Sequence, residues 1–180
     1  MQRMSGIATY TKHLVKLVKH TKAKILDTRK TTPNLRPLEK WAVTIGGGTN
    51  HRFALYDMIM LKDNHNDYSG GITNAVNSAN RYLKETGKKL KIEVETRSLE
   101  EVEETVTNGG TDIIMLDNMD ADTMKKAIEI IGGKMKTEAS GGITEENIVA
   151  MAESGVDYIS IGALTHSVKS LDMSLKAEIE

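Results

Sequence analysis

KIEVETRSLEEVEETVTNGGTDIIMLD, Lys91 to Asp117, contains two short apolar runs on either side of a polar stretch, and its reading decides the fold. The runs Ile92–Val94 and Ile113–Leu116 are β-branched and brief, as buried strands are. Between them Leu99, Val102 and Val106 recur at helical spacing, so one helix links the strands. A strand, a crossover helix and a second strand in so few residues is the unit that joins parallel strands. The same unit repeats downstream. Met135–Ala139 and Tyr158–Ile161 read as strands, preceded by helical faces made of Met124, Ala127, Ile128 and Ile131, then Ile148, Met151 and Ala152.

Upstream the pattern is less regular but compatible. Ala23–Leu26 and Met58–Leu61 read as strands, and Ile72, Val76, Ala79 and Leu83 mark a helix from about Gly71 to Thr86. A first helix, roughly Ser5 to Lys19, carries Ile7, Tyr10, Leu14, Val15 and Val18 on one side; it is expected to plug the barrel or to pack against a missing partner. The later strands end in Glu95, Asp117, Ser140 and Gly162, spaced about 22 residues apart, a natural length for one βα repeat. Parallel strands place those residues around one end of the sheet. A doubly wound sheet would gather functional residues at its switch point, whereas here they end nearly every strand. The expectation is therefore an α/β fold, an incomplete TIM-type β/α barrel of about six parallel strands, with residues 1–180 as a single domain.

Composition narrows the partners. With 24 Lys plus Arg against 25 Asp plus Glu there is no global basic field, which argues against nucleic acid or an anionic membrane as partner. No apolar run approaches the roughly 20 residues that span a bilayer, and MQRMSGIATY has no hydrophobic signal core. The absence of cysteine fits a reducing compartment, so the cytoplasm is expected. An anion site must be local. DTRKT (Asp27–Thr31), GGGTNHR (Gly46–Arg52) and LKDNH (Leu61–His65) place Arg29, Lys30, His51, Arg52 and Lys62 in loops and strand ends, a cluster suited to a small polyanion. The triple glycine suggests close backbone approach at the site.

Glu93 and Glu95 lie two apart on a strand and face the same side, which sets Glu95 at the barrel rim with Glu93 below. An unpaired carboxylate below the rim would be costly. Glu95 and Asp117 end successive strands; their oxygens suit Mg²⁺ or sugar hydroxyls, and the alternative for Glu95 is an ion pair with Lys62 or Lys30. SGGIT occurs twice, at Ser69–Thr73 and Ser140–Thr144. The first reads as a plain loop entering a helix. The second precedes a late helix and is followed by Gly162-Ala163, the arrangement of small residues at barrel phosphate sites. His65 reads as scaffolding, and His13 and His20 as surface residues. GxSxG, HExxH and Walker signatures are lacking, so hydrolase and P-loop readings have no motif.

SGIAT (Ser5–Thr9), DTRKT, LEKWAV (Leu38–Val43), GGGTNHR, LKDNH, EVE (Glu93–Glu95), MLDN (Met115–Asn118), EASGGI (Glu138–Ile143) and IGALTHS (Ile161–Ser167) occur in fixed order. With them the chain resembles the C-terminal barrel domain of the quinolinate phosphoribosyltransferase family nearly end to end. The resemblance implies transfer of phosphoribose from phosphoribosyl pyrophosphate to the ring nitrogen of quinolinate. Pyrophosphate and carbon dioxide leave, and nicotinate mononucleotide forms for NAD biosynthesis. It implies that Arg29, His51, Arg52 and Lys62 bind the two carboxylates and that Lys30 sits near the ring and the pyrophosphate. Glu95 and Asp117 would contact ribose hydroxyls and Mg²⁺, and Ser140, Gly141 and Gly162 would cradle the 5′-phosphate. Lys30, Glu95 and Asp117 are the implied catalytic residues.

The chain begins just upstream of SGIAT, and the resemblance leads to the expectation that the family's N-terminal domain is absent. In the family homodimer that domain covers the partner's barrel and supplies a further arginine. Two residues depart from the family pattern: Asn66 stands where an aliphatic residue is usual, and Asn34 replaces the glycine after Pro33. The competing expectations are a related phosphoribosyltransferase with another acceptor base and a non-catalytic phosphate-binding barrel.

Overall fold

The computed structural model of the chain describes residues 1–178. In chain order the elements are α1 (Gln2–Leu17), β1 (Lys24–Leu26), α2 (Arg36–Ile45), β2 (Ile59–Leu61), α3 (Asp63–Tyr68), α4 (Ile72–Thr86), β3 (Ile92–Thr96), α5 (Leu99–Asn108), β4 (Ile113–Asp117), α6 (Ala121–Ile131), β5 (Lys136–Ser140), α7 (Ile148–Glu153), β6 (Tyr158–Ser160) and α8 (Ala163–His166). All six strands are parallel, in the order β1-β6-β5-β4-β3-β2. This is the curled sheet of an incomplete barrel, open between β1 and β2. A single parallel bridge, Leu26 with Thr49, begins to fill that gap. Thr49 donates its N–H to Ile25 O (2.8 Å) and accepts from Asp27 N (3.3 Å), which makes it a one-residue strand stub.

Strand periodicity sorts the side chains. Val94, Ile114, Leu116, Ala139 and Ile159 are fully buried on the helix-facing side, each of the large ones contributing about 1.5–3 kcal/mol through burial. Their neighbours, Glu93, Glu95, Met115, Asp117, Glu138 and Ser140, alternate onto the inner side. Local signals start the crossover helices: Ser98 caps α5 by accepting from Glu101 N, and Asp120 caps α6 by accepting from Thr123 N at 2.8 Å. Among the described residues no helix is long and apolar enough to cross a membrane.

Two expectations are corrected here. Helix α1 neither plugs the barrel nor waits for a partner: it packs against β1, α2, α7 and α8 of its own chain, and Ile7, Leu14 and Val18 join the main core. The triple glycine does not reach the cavity. Gly46 ends α2 so close to α1 that a Cβ there would lie 2.5 Å from Ala8 O and 2.6 Å from Thr11 Cβ, so its role is helix packing.

Helix α2 was not expected from periodicity. Its buried side carries Glu39 and Lys40 beside Ala42 and Val43, while Leu38, Trp41 and Ile45 are exposed. Each buried charge is paired. Glu39 meets Arg3 of α1 at 2.6 Å and accepts Thr32 N at 3.0 Å, and Lys40 pairs with Asp27.

Candidate functional site

The C-terminal ends of the strands surround a cavity of about 780 Å³. All ten residues singled out from the sequence line it: Arg29, Lys30, His51, Arg52, Lys62, Glu95, Asp117, Ser140, Gly141 and Gly162. The walls differ in chemistry. Cations come from the loops after β1, after the Thr49 stub and at the end of β2; acids come from β3, β4 and, through Glu138, β5; small residues come from the ends of β5 and β6.

On the cationic wall Arg29, Lys30 and Arg52 form no ion pair with any described carboxylate. Arg29 Nε is buried without a hydrogen-bond partner, and such an orphaned donor costs about 1–3 kcal/mol. Among the described residues the Arg52 guanidinium donates only to Met58 O (3.2 Å) and Met60 Sδ (3.3 Å); burial first, and then the nearby Arg29 charge, lower its pKa. Two guanidiniums that repel each other in a half-buried cavity are arranged for an anion that is not a protein side chain. Lys30 runs beside the glycine wall, with its Cδ 3.4 Å from where a Cβ on Gly162 would sit.

His51 is set differently from its neighbours. Its Nε2 lies 3.1 Å from Glu93 Oε2 and 3.3 Å from Glu138 Oε2, both glutamates being fully buried. Burial alone would lower the imidazole pKa, but the two carboxylates outweigh it and raise it to about 10. Arg52 N lies 2.7 Å from Nδ1, a contact suited to a neutral ring. The charge decides, since two buried carboxylates without a cation would be far costlier than one poorly satisfied N–H. Burial and Glu138 in turn raise Glu93 to about 7. His51 thus lines the cavity while spending its charge on the floor beneath. Glu138 was missed as a site residue, although it precedes Ser140 by two as Glu93 precedes Glu95, an alternation that points it inward.

The ion pair left as an alternative for Glu95 is present: Lys62 Nζ lies 3.2 Å from Glu95 Oε2. Asp117 accepts from Asn118 Nδ2 at 2.6 Å, and its pKa is raised by burial and then by Glu95. Two carboxylates at the ends of adjacent strands on a cavity rim fit Mg²⁺, which takes one or two carboxylates together with phosphate and water oxygens. On the small-residue wall Gly141 has φ 86° and its Cα faces Asn118; a Cβ would lie 2.3 Å from Asn118 Oδ1. His166, also missed, lies against Gly162 and was legible only as part of IGALTHS.

Other readings fall into place. Ser69–Gly71 lies away from the cavity, as a plain helix entry. His65 Nδ1 accepts Lys62 N (3.0 Å), a local brace, and exposed His13 and His20 meet Glu145 and Glu153. Asn34 sits at φ 63°, the left-handed region a glycine would use.

A β/α-barrel domain with a mouth for a small polyanion, flanked by a carboxylate pair and glycine-rich loops, is the class that this fold and cavity define. The profile described as quinolinate phosphoribosyl transferase, C-terminal domain, matches residues 7–176, and the chain belongs to that family. It is 51% identical over 194 aligned positions to the chloroplastic nicotinate-nucleotide pyrophosphorylase [carboxylating] of Arabidopsis thaliana, covering 100% of this chain and 55% of that protein. It is 50% identical to the probable nicotinate-nucleotide pyrophosphorylase [carboxylating] of Bacillus subtilis, covering 97% of this chain and 59% of the relative. The crystal structure of NadC from Streptococcus pyogenes superposes with a TM-score of 0.92 at 46% identity, over 98% of this chain and 61% of that one. The chain spans about half the length of the curated relatives it matches.

Proposed function

We propose that this chain is the barrel domain of a quinolinate phosphoribosyltransferase acting in NAD biosynthesis. It joins phosphoribose from phosphoribosyl pyrophosphate to the ring nitrogen of quinolinate and releases pyrophosphate and carbon dioxide. The observation that carries this reading is the set of cavity cations without ion pairs, Arg29, Lys30 and Arg52, in one cavity with the Ser140–Gly142 and Gly162 loops. A pyridine dicarboxylate would answer the first group and a 5′-phosphate the second.

In this reading Arg29, Arg52 and Lys62 take the two carboxylates, with His51 as the wall that orients them. Lys30, lying between the two groups, donates to the leaving pyrophosphate. Glu95 and Asp117 would hold Mg²⁺, which would neutralise charge on that leaving group. The same carboxylates stabilise the positive charge that develops on the ribose as its bond to pyrophosphate breaks and the bond to nitrogen forms. The positive charge on the alkylated ring nitrogen then stabilises the electron pair left on the adjacent ring carbon as carbon dioxide departs, and that carbon uses the pair to take a proton. The chain supplies position and charge, and no nucleophilic side chain is needed.

A homodimer of the full-length protein belongs to the same proposal, supported by Leu38, Trp41 and Ile45, which expose one apolar side of α2. So does a cytoplasmic location, supported by the cysteine-free composition.

Calorimetric titration with pyridine-2,3-dicarboxylate and with nicotinate, followed by assay of pyrophosphate and carbon dioxide release in the presence of Mg²⁺ and phosphoribosyl pyrophosphate, tests the proposal. The dicarboxylate is expected to bind at least tenfold tighter. Equal binding of the monocarboxylate would point to another acceptor base, and donor binding without product, in a chain joined to the relatives' remaining segment, to a non-catalytic barrel.

A further inference from the structure

Lys40 of α2 is among the largest fully buried side chains, 1% exposed, and its partner Asp27, directly after β1, is 0% exposed. Lys40 Nζ donates to Asp27 Oδ1 and, at 3.1 Å, to the carbonyl of His51. The same Asp27 oxygen accepts the N–H of His51 at 2.9 Å. The Asn50 amide, with its nitrogen turned inward, donates to Asp27 Oδ2 (2.6 Å) and Lys40 O (2.9 Å). One ion pair thus grips both backbone polar groups of His51, while Glu93 and Glu138 hold its ring from the other side. Arg52 is the next residue.

A buried ion pair is a poor way to gain stability. Desolvation costs several kcal/mol per ion, and uncharged replacements of similar shape are often neutral or stabilising. Asp27 bears this out, since burial raises its pKa even against the pull of Lys40. The pair also serves no ladder of the sheet beyond the Thr49 stub. What it does determine is where the His51–Arg52 peptide lies.

We infer that Asp27 and Lys40 are positioning residues that fix the His51–Arg52 peptide, and through it the Arg52 guanidinium, at the cavity wall. The ligand side of this inference rests on the reading of Arg52 as an anion-binding residue; the geometric side does not. Neither residue reaches the cavity. Both act through the backbone of their neighbours.

The test is the double variant Asp27→Asn/Lys40→Met in the full chain. It removes both charges, keeps an acceptor for His51 N–H and releases the His51 carbonyl. Three readouts are taken: the melting temperature, the ring ¹⁵N–¹H resonance of His51 assigned with His51→Gln, and affinity for pyridine-2,3-dicarboxylate beside affinity for inorganic phosphate. The expected result is a melting temperature within about 4 °C of the parent, the scale of one kcal/mol in a chain of this size. The His51 resonance shifts and exchanges faster, and dicarboxylate affinity falls at least tenfold with phosphate affinity within twofold. A variant that unfolds or melts far below the parent shows the pair to be a structural brace and overturns the inference. So does a folded variant with an unchanged His51 resonance, or one that weakens phosphate equally. If the parent itself binds no pyridine dicarboxylate, the substrate reading fails, and the melting temperature and the His51 resonance still decide the positioning role.

Discussion

Lys62 Nζ lies 3.2 Å from Glu95 Oε2, so a cation at the end of β2 is tied to a carboxylate of the neighbouring strand β3. In the proposed reaction Lys62 and Mg²⁺ would therefore compete for Glu95. Lys62→Ala is expected to lower the Mg²⁺ concentration needed for half-maximal binding of phosphoribosyl pyrophosphate while weakening dicarboxylate binding at least tenfold. Calorimetry at graded Mg²⁺ checks both directions, and a rise in the Mg²⁺ requirement would refute the competition.

Arg52→Ala removes a charged donor with no protein carboxylate to answer it. Charged hydrogen bonds are worth about 1.5–3 kcal/mol, so dicarboxylate affinity should fall by about one to two decades. Phosphate affinity at the Ser140–Gly142 loop should stay within twofold. Loss of both would mean that the two walls bind a single ligand group.

Gly141→Ala places a Cβ 2.3 Å from Asn118 Oδ1 at φ 86°. Strain of this kind costs about 1–3 kcal/mol, and the loop must also move. A lower melting temperature together with loss of phosphate binding is expected. Retention of both would show that the loop does not need this conformation.

Asn66 is 3% exposed; its Nδ2 donates to Glu95 O at 3.2 Å, but its Oδ1 has no partner. The resemblance puts an aliphatic residue here. Asn66→Leu removes the orphaned Oδ1 but takes the Asn66 donor away from the Glu95 carbonyl, so the two effects oppose each other and the melting temperature should stay within about 4 °C of the parent. A larger drop would show that the bond to the Glu95 carbonyl dominates.

The floor of the cavity sets the pH dependence of stability. Glu93 is raised from 4.5 to about 7 and His51 from 6.5 to about 10. Folded-state values above the unfolded ones mean that the native protein holds more protons, so stability is fully present below the unfolded values and declines as pH rises. The decline should run from about pH 4.5 to 7 through Glu93 and from about pH 6.5 to 10 through His51. Melting curves across pH 5 to 10 would show it. In His51→Gln the glutamates lose their cation and hold protons to higher pH, so the Glu93 decline should move upward, and an unmoved profile in that variant would assign the protons elsewhere.

How far the sequence reveals the molecule follows from where each charge is spent. Strands β3 to β6 were legible because their outer residues are mostly apolar and their last inner residues polar or small. Glu95, Asp117, Ser140 and Gly162 were found for the same reason. Helix α2 was hidden because its polarity is inverted: Glu39 and Lys40 face inward, Trp41 and Ile45 outward, and partners 36 and 13 residues away in the chain neutralise the buried charges. His51 was legible as a cavity residue but not as a counter-ion, because Glu93 and Glu138 meet it only once the sheet has curled. GGG misled for a related reason: tight helix packing and ligand approach both demand a missing Cβ.

The open side of the sheet separates two kinds of wall. Glu95, Asp117, Ser140 and Gly162 stand on or beside the continuous β3 to β6 ladder, whereas Arg29, Lys30, His51, Arg52 and Lys62 stand on either side of the seam that Thr49 alone bridges. In the proposed reading the ribose and 5′-phosphate of the donor thus meet the ladder, while the acceptor and, through Lys30, the leaving pyrophosphate meet loops and strand ends beside the seam. Under that reading the acceptor wall is the part of the cavity that lies nearest the open side of the sheet.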